Sequence, residues 1–306
     1  MSQEEEGIIV SSGELDTFKD YLSAPRFRIK LDDDVNTTVR VALSEISGEK
    51  FPLSTPNTTG EDIAARLTAY EEAVKPLLAK AALLGKWATR EQLPTLCNLI
   101  ARLCDACADT SGDNSLWLSM RWYPVSLLMY SASIAALYAD NYRAFAAIHT
   151  KKITTRVRRL GMKSVNMLVP VIDGMLGVAE CNAWRCVQKY RNFRTPESEH
   201  IFTVLGPMLD DLLFLGGSFE RLFDRYEIFR TLLYLDLTDR DWAPIGRFGL
   251  KFCRGGEDNP YSEMRAEAQQ DAWWPFEAGL FRGSSARYEE IASKFEEAAL
   301  TKLGWY

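Results

Sequence analysis

The sequence predicts a mainly all-α protein, an irregular multi-helix array preceded by a small N-terminal appendage. Apolar residues recur at intervals of three and four through most of the chain, which is the spacing of one face of an α-helix. Short clusters of Gly, Pro, Asn, Asp and Ser separate these stretches. The chain has 306 residues with 47% hydrophobic content, which is enough to bury a large core.

The appendage is predicted to cover residues 1–60. Residues 7–12 and 26–31 allow one or two short strands, because 26–31 alternate polar and apolar side chains. Asp32 and Asp33 then resemble cap and first-turn acids of a helix ending near Ile46. Residues 47–60 are rich in Ser, Thr, Pro, Asn and Gly and are interpreted as a linker to a helical domain at 61–306.

The helical domain is a succession of amphipathic segments. In the first of them Pro76 predicts a kink and Gly85 the end of the helix. The long third segment is broken near Pro124 and Asn141. Residues 252–271 are polar and predict a mobile loop or a weak helix. The predicted helices are 61–84, 92–108, 116–148, 165–179, 197–215, 218–237 and 285–303.

Residues 122–139 carry no charge, which reaches the lower length limit of a membrane span. Pro124, several serines and alanines dilute this apolar stretch, and we interpret it as a buried core helix without membrane contact. The acidic N-terminus lacks the features of a secretory signal. Six cysteines are too few for a disulfide framework, so reduced thiols and a cytoplasmic location are expected.

Catalytic and metal-binding patterns are sparse. His149 and His200 have no sequence neighbours that define a triad, and they are interpreted as surface or packing residues. Cys97, Cys104 and Cys107 share one helix face, which favours core packing over a zinc site. No glycine-rich phosphate-binding motif is present. We therefore predict no catalytic residue, no metal and no cofactor.

Charges on the predicted helix at 218–237 suggest a structural role. Asp224 and Glu227 lie one turn apart beside Arg221 and Arg225. This spacing favours an ion-pair face over an acid–base pair.

The distribution of charge is the strongest physical signal. Residues 143–194 contain eleven Lys or Arg against two acids, in a chain whose formal net charge is −6. The densest part predicts a partner-binding site at Lys151, Lys152, Arg156, Arg158, Arg159 and Lys163. The alternatives are a solvated face, an acidic protein partner or nucleic acid, for which Trp184, Tyr190 and Phe193 offer stacking surfaces unless they are core residues.

The region from about residue 62 to the C-terminus resembles a helical module found at the C-terminal end of bacterial proteins. The resemblance is carried by WLSMRWYPVSLLMY at 117–130, IAALYADNY at 134–142, TP at 195–196, FDRYE at 223–227, GRFG at 246–249, WP at 274–275 and GLF at 279–281. Such modules follow sirtuin-like or other effector domains in proteins associated with anti-phage defence. The resemblance implies an accessory role beside an effector or ATPase subunit.

Together these observations predict a noncatalytic interaction or sensing module that binds a protein partner. Nucleic-acid binding through residues 143–194 is the first alternative, because phosphate contacts need such cations. A hydrolase or nucleotide-processing enzyme without a readable motif is the second, and converging carboxylates in a deep pocket would favour it.

Overall fold

The computed structural model describes residues 12–54, 58–108, 112–157, 161–254, 259–270 and 272–303. The fold is mainly α-helical, as predicted, with one small sheet in the described part. The helices are α1 (Ser12–Ser23), α2 (Arg28–Glu45), α3 (Gly60–Trp87), α4 (Leu93–Cys107), α5 (Ser115–Met120), α6 (Tyr123–Tyr138), α7 (Tyr142–Thr150), α8 (Leu168–Glu180), α9 (Ala183–Cys186), α10 (Pro196–Leu213), α11 (Phe219–Leu237), α12 (Phe248–Arg254), α13 (Pro260–Glu267), α14 (Trp274–Glu277) and α15 (Ser285–Leu303).

The sheet is an antiparallel hairpin between α7 and α8. Strand β1 (Lys152–Val157) pairs with β2 (Gly161–Asn166), with Lys152 opposite Asn166 and Val157 opposite Gly161. The sequence pattern instead predicted short strands at residues 7–12 and 26–31. Residues 26–31 form a 3-10 turn and the start of α2, so that prediction was wrong, and residues 7–11 lie outside the described part. Period-two alternation over six residues did not outweigh the four-residue spacing of buried Leu31, Val35 and Val39.

Helices α3 and α6 form the centre of the core. The Ser131 hydroxyl donates to the Leu78 carbonyl at 2.8 Å, and Gly85 lies against the backbone of Ala132. Gly85 therefore serves close helix packing inside α3 and does not end the helix, contrary to the prediction. Helix α6 is buried on all sides from Tyr123 to Leu137, which confirms a core helix. No described helix is long and apolar enough to cross a membrane.

Helices α1 and α2 pack on α3 and α4 and share their hydrophobic core. Because α2 begins at Arg28, the acids at 32–34 lie inside the helix, and the predicted capping role was wrong. Asp34 instead pairs with Lys80 of α3, and Asp32 accepts a hydrogen bond from Thr95 of α4. These acids tie the N-terminal helices to the body.

The C-terminal helices wrap around α11. The region predicted as a loop or weak helix contains the end of α12 and all of α13, in which Tyr261 and Met264 are buried, while residues 255–258 and 271 lie outside the described part. Trp273, Phe281 and Tyr288 form an aromatic cluster that seats α15. The three cysteines of α4 are buried, as expected for core packing.

Candidate functional site

Residues from three of the aromatic-rich motifs meet at one buried carboxylate. Glu227 of α11 accepts hydrogen bonds from the Tyr130 hydroxyl of α6 at 3.1 Å and from the Ser198 hydroxyl of α10 at 2.6 Å. The Arg247 backbone N–H donates to the Ser198 hydroxyl oxygen at 3.0 Å. A Cβ at Gly246 would overlap the Glu227 carboxylate, so the close approach of this segment requires glycine.

Burial dominates the electrostatics of this carboxylate. Glu227 is 1% exposed, and burial raises its pKa to about 7 against the opposing effects of the Ser198 hydrogen bond and Arg230. Arg230 lies 3.6 Å from Glu197, whose pKa burial also raises. Nearby, His149 is fully buried with Nε2 3.1 Å from the Ser133 hydroxyl. Burial and Arg230 lower the pKa of His149 to about 3, so the imidazole is neutral near pH 7.

The predicted ion-pair face on α11 takes a different form. Arg221, Asp224 and Arg225 form structural ion pairs, as predicted, but their partners lie on other helices, and Glu227 is instead the buried carboxylate described above. Arg221 pairs with Glu263, Arg225 with Glu267 and Asp224 with Lys251. One-turn spacing permitted pairs within the helix, but the packing of α12 and α13 supplied partners across the interface.

A second polar cluster joins α3, α10 and the segment between α8 and α10. His200 Nε2 lies 2.7 Å from Glu71 Oε1, and His200 Nδ1 lies 2.8 Å from the Tyr190 hydroxyl. The Tyr123 hydroxyl also donates to Glu71, at 2.7 Å. Trp184 packs on the His200 ring. Trp184 and Tyr190 are therefore core residues, whereas Phe193 is 45% exposed.

The side chains around Glu227 and His149 are withdrawn from solvent, whereas Glu71 and His200 of the second cluster are partly exposed. Tyr130, Ser198, Glu227 and His149 are each buried. A carboxylate, an imidazole and hydroxyls are groups that general acid–base chemistry uses, yet such chemistry needs a substrate within hydrogen-bond reach. Burial keeps solvent species from these four groups. In the described part of the chain, no group of three His, Cys, Asp or Glu residues is arranged to hold a metal ion.

We expect Tyr190→Phe to loosen the segment at residues 182–194 by about 1 kcal/mol, because His200 Nδ1 loses its hydrogen-bond partner. Limited trypsin digestion should cleave the variant about fivefold faster at the exposed Arg185, Lys189 and Arg191. Tyr138→Phe, at an exposed position on α6, is the matched control. Equal cleavage rates for the two variants would contradict the anchoring role of Tyr190.

The predicted partner-binding residues lie on and beside the hairpin. Lys151 is half-buried, and Lys152 and Lys163 are exposed. Arg156 is in β1 opposite Met162, but its side chain lies outside the described part, as do Arg158 and Arg159 entirely.

Lys151 and Lys152 line a depression of about 290 Å³ between α2, α4 and β1. Asn36, Asn98, Arg102 and Asp105 also line it. Sequence reasoning missed Arg102, because it belongs to another helix and to no cluster of charges. We call Arg102, Lys151 and Lys152, together with Lys163 of β2, the hairpin surface. Lys163 does not line the depression, because it lies opposite Thr155, whose side chain is on the other face of β1 from that of Lys152.

The basic segment is divided in two by α8. Helix α8 has 13 residues, which corresponds to about 20 Å. The hairpin precedes its N-terminus, whereas Arg185, Lys189 and Arg191 follow its C-terminus. The two basic groups therefore lie at opposite ends of this helix and do not form one patch.

The cations of this segment differ in their pairing from several cations of the body, although Arg66 and Arg102 of the body also have no carboxylate within 4.0 Å among the described residues. Within the described residues, no carboxylate oxygen lies within 4.0 Å of the side-chain nitrogens of Arg143, Lys151, Lys152, Lys163, Arg185, Lys189 or Arg191. By contrast, carboxylates pair with Lys80, Arg225 and Arg287 in the body. The seven cations named above therefore differ from Lys80, Arg225 and Arg287, whose charges are neutralised by carboxylates of neighbouring helices.

Comparison with known proteins adds no relative to this description. No protein-family model, no curated protein and no solved structure matches the chain.

Proposed function

We propose that this protein is a noncatalytic helical interaction module that binds an acidic segment of a protein partner through the hairpin surface. The observation that carries the proposal is the absence of carboxylates within 4.0 Å of Lys151, Lys152 and Lys163 among the described residues. Exposed cations without internal partners are available to an acidic ligand, and they steer its approach. The resemblance to accessory modules of anti-phage defence proteins suggests an effector or ATPase subunit as the partner.

The lining of the depression fits an acidic peptide. Arg102, Lys151 and Lys152 place three cations around it against one acid, Asp105. The amides of Asn36 and Asn98 offer both donors and acceptors to a peptide backbone. A short acidic segment could pair with these cations while the rest of its chain remains in solvent.

Charge balance favours a protein partner over a long nucleic acid. The formal net charge is −6, although residues 143–194 alone carry +9, so the remainder of the chain carries −15. A polyanion that extends beyond the hairpin surface meets this acidic remainder and is repelled. A short acidic segment avoids that repulsion.

Neutralising the hairpin surface should weaken binding of an acidic peptide. We expect K151Q/K152Q/K163Q to lower the affinity for a fluorescein-labelled Glu-rich peptide about tenfold at low salt, since each exposed pair contributes about 0.5 kcal/mol. Fluorescence anisotropy measures the affinity. K19Q/K50Q/K294Q removes the same charge from exposed lysines that have carboxylate partners. This control should bind within about twofold of the unmodified protein.

The same titrations separate the proposal from its alternatives. Added salt should weaken the peptide complex, because exposed charges are screened. An equal loss of peptide affinity in K151Q/K152Q/K163Q and K19Q/K50Q/K294Q would contradict a binding role of the hairpin surface. Submicromolar binding of labelled duplex or single-stranded DNA that is lost only in K151Q/K152Q/K163Q would replace the protein partner by nucleic acid. A natural partner should co-purify after nuclease treatment with the control variant but not with the hairpin variant.

A further inference from the structure

The segment between α8 and α10 carries a second depression, of about 670 Å³. Its lining residues are Asn182, Arg185, Cys186, Gln188, Arg191 and Asn192. The volume falls within the range of about 300 to 1,000 Å³ that is usual for small-molecule sites. The depression lies beyond the C-terminus of α8, away from the hairpin surface.

The lining is cationic and rich in hydrogen-bonding groups. Arg185 and Arg191 supply two guanidinium groups, and no carboxylate lines the depression. Within the described residues, neither arginine has a carboxylate within 4.0 Å. A guanidinium group matches a phosphate in shape and charge, because its N–H groups donate two parallel hydrogen bonds. This lining therefore suits a phosphate-bearing ligand.

The backbone of residues 182–192 is anchored by buried side chains and by contact with α3. Trp184 and Tyr190 are buried, and the Tyr190 hydroxyl is anchored 2.8 Å from His200 Nδ1. On another side, a Cβ on Gly60 of α3 would lie 2.9 Å from the Cys186 carbonyl carbon, so the segment is pressed against that helix. Asn182 adopts the left-handed conformation with φ of 54°, which asparagine tolerates. A site fixed in this way needs little reordering when a ligand binds.

We propose that this depression binds a nucleoside phosphate. The arginines would hold the phosphates. The volume exceeds what one phosphate group fills, and the amides of Asn182, Gln188 and Asn192 provide paired donors and acceptors for ribose hydroxyls and base edges. The proposal is independent of the hairpin surface, and K151Q/K152Q/K163Q should leave nucleotide binding unchanged.

Isothermal titration with AMP, ADP, ATP, ribose 5-phosphate, inorganic phosphate and pyrophosphate tests the proposal. We expect ADP or ATP to bind with a Kd below about 1 mM and R185Q/R191Q to weaken that binding at least about tenfold, since charge-assisted bonds to both guanidinium groups are lost. R26Q/R143Q removes two arginines that are exposed elsewhere and should bind as the unmodified protein does. Thermal unfolding without ligand confirms that both variants remain folded.

The nucleoside and phosphate parts have separate readouts. Q188L/N192L should weaken ADP binding about tenfold or more while leaving pyrophosphate binding unchanged, because only the nucleoside contacts are removed. Pyrophosphate binding as tight as that of ADP would overturn the nucleoside part. No saturable binding below about 1 mM, or equal losses in the two arginine variants, would overturn the site. Binding of oligonucleotides more tightly than of ADP would assign it to nucleic acid and also overturn the proposal.

Discussion

Replacing Gly85 by alanine should destabilise the protein by at least about 3 kcal/mol, because the added methyl group has no space between α3 and α6. A Cβ at Gly85 would lie 2.9 Å from the Ala132 carbonyl carbon and 3.1 Å from its Cα, and closer still to the carbonyl oxygen. These atoms are backbone and cannot move aside by changing a rotamer. The two central helices would have to separate, and the close packing along their interface would be lost.

Gly13→Ala provides the matched control. Gly13 lies in α1, where a Cβ would meet nothing within 4 Å. Alanine at an open helical position should stabilise the protein by up to about 1 kcal/mol, since it restricts the unfolded chain. Urea unfolding of both variants measures the difference. Similar free energies of unfolding for G85A and G13A would show that α3 and α6 do not depend on this close approach.

The second large effect concerns the pH dependence of stability, to which Glu227 and His149 contribute with opposite signs. The pKa of Glu227 is raised in the folded protein, from 4.5 to about 7. Between these values the folded state binds the proton and the unfolded state does not. The contribution of Glu227 to the free energy of unfolding is therefore fully present below pH 4.5. It falls by about 3 kcal/mol as pH rises from 4.5 through 7.

For His149 the sign is reversed. Its pKa is lowered in the folded protein, from 6.5 to about 3. Below pH 6.5 the unfolded state binds a proton that the buried imidazole does not, so stability from His149 falls as pH falls. The two slopes are each about 1.4 kcal/mol per pH unit and cancel between pH 4.5 and 6.5.

Substituting either Glu227 or His149 should leave the pH dependence of stability that the other residue contributes. As pH rises from 4.5 to 6.5, the free energy of unfolding of E227Q should increase by about 3 kcal/mol relative to that of the unmodified protein. Over the same pH rise, the free energy of unfolding of H149Q should decrease by a similar amount relative to the unmodified protein. The comparison with the unmodified protein cancels groups that titrate in both. The double variant E227Q/H149Q is the control and should show neither change. Parallel profiles for all four proteins would contradict burial as the origin of both pKa shifts.

The order and extents of most helices could be predicted from the sequence. The breaks near Pro124 and Asn141 separate α5, α6 and α7, and the predicted segments at 197–215 and 218–237 correspond to α10 and α11. These features follow from the spacing of apolar residues and from helix-ending chemistry, which are local. The hairpin was missed because its lysines and arginines were interpreted only as a charge cluster. The alternation of exposed Lys152 and Thr154 with buried Ile153 and Thr155 is the signal that identifies β1.

Only part of each candidate site could be predicted. Lys151 and Lys152 were identified from charge density, but Arg102 joins them through the packing of α4 on β1. The grouping of residues 143–194 as one basic segment could not reveal that α8 places its two halves at opposite ends. Residues that belong to one charge-rich stretch of the sequence are far apart in space when a helix such as α8 lies between them.

The sequence by itself determined the helical class, the apolar faces and the uneven charge, because these depend on residue counts and local spacing. Only the tertiary structure decided which polar side chains meet. Glu71 and His200 are 129 residues apart, and Tyr130 and Glu227 are 97 apart, yet each pair is hydrogen-bonded. Contacts of this kind depend on how whole helices pack. A buried polar group needs a hydrogen-bond partner, and the packing of the helices decides which groups lie close enough to serve.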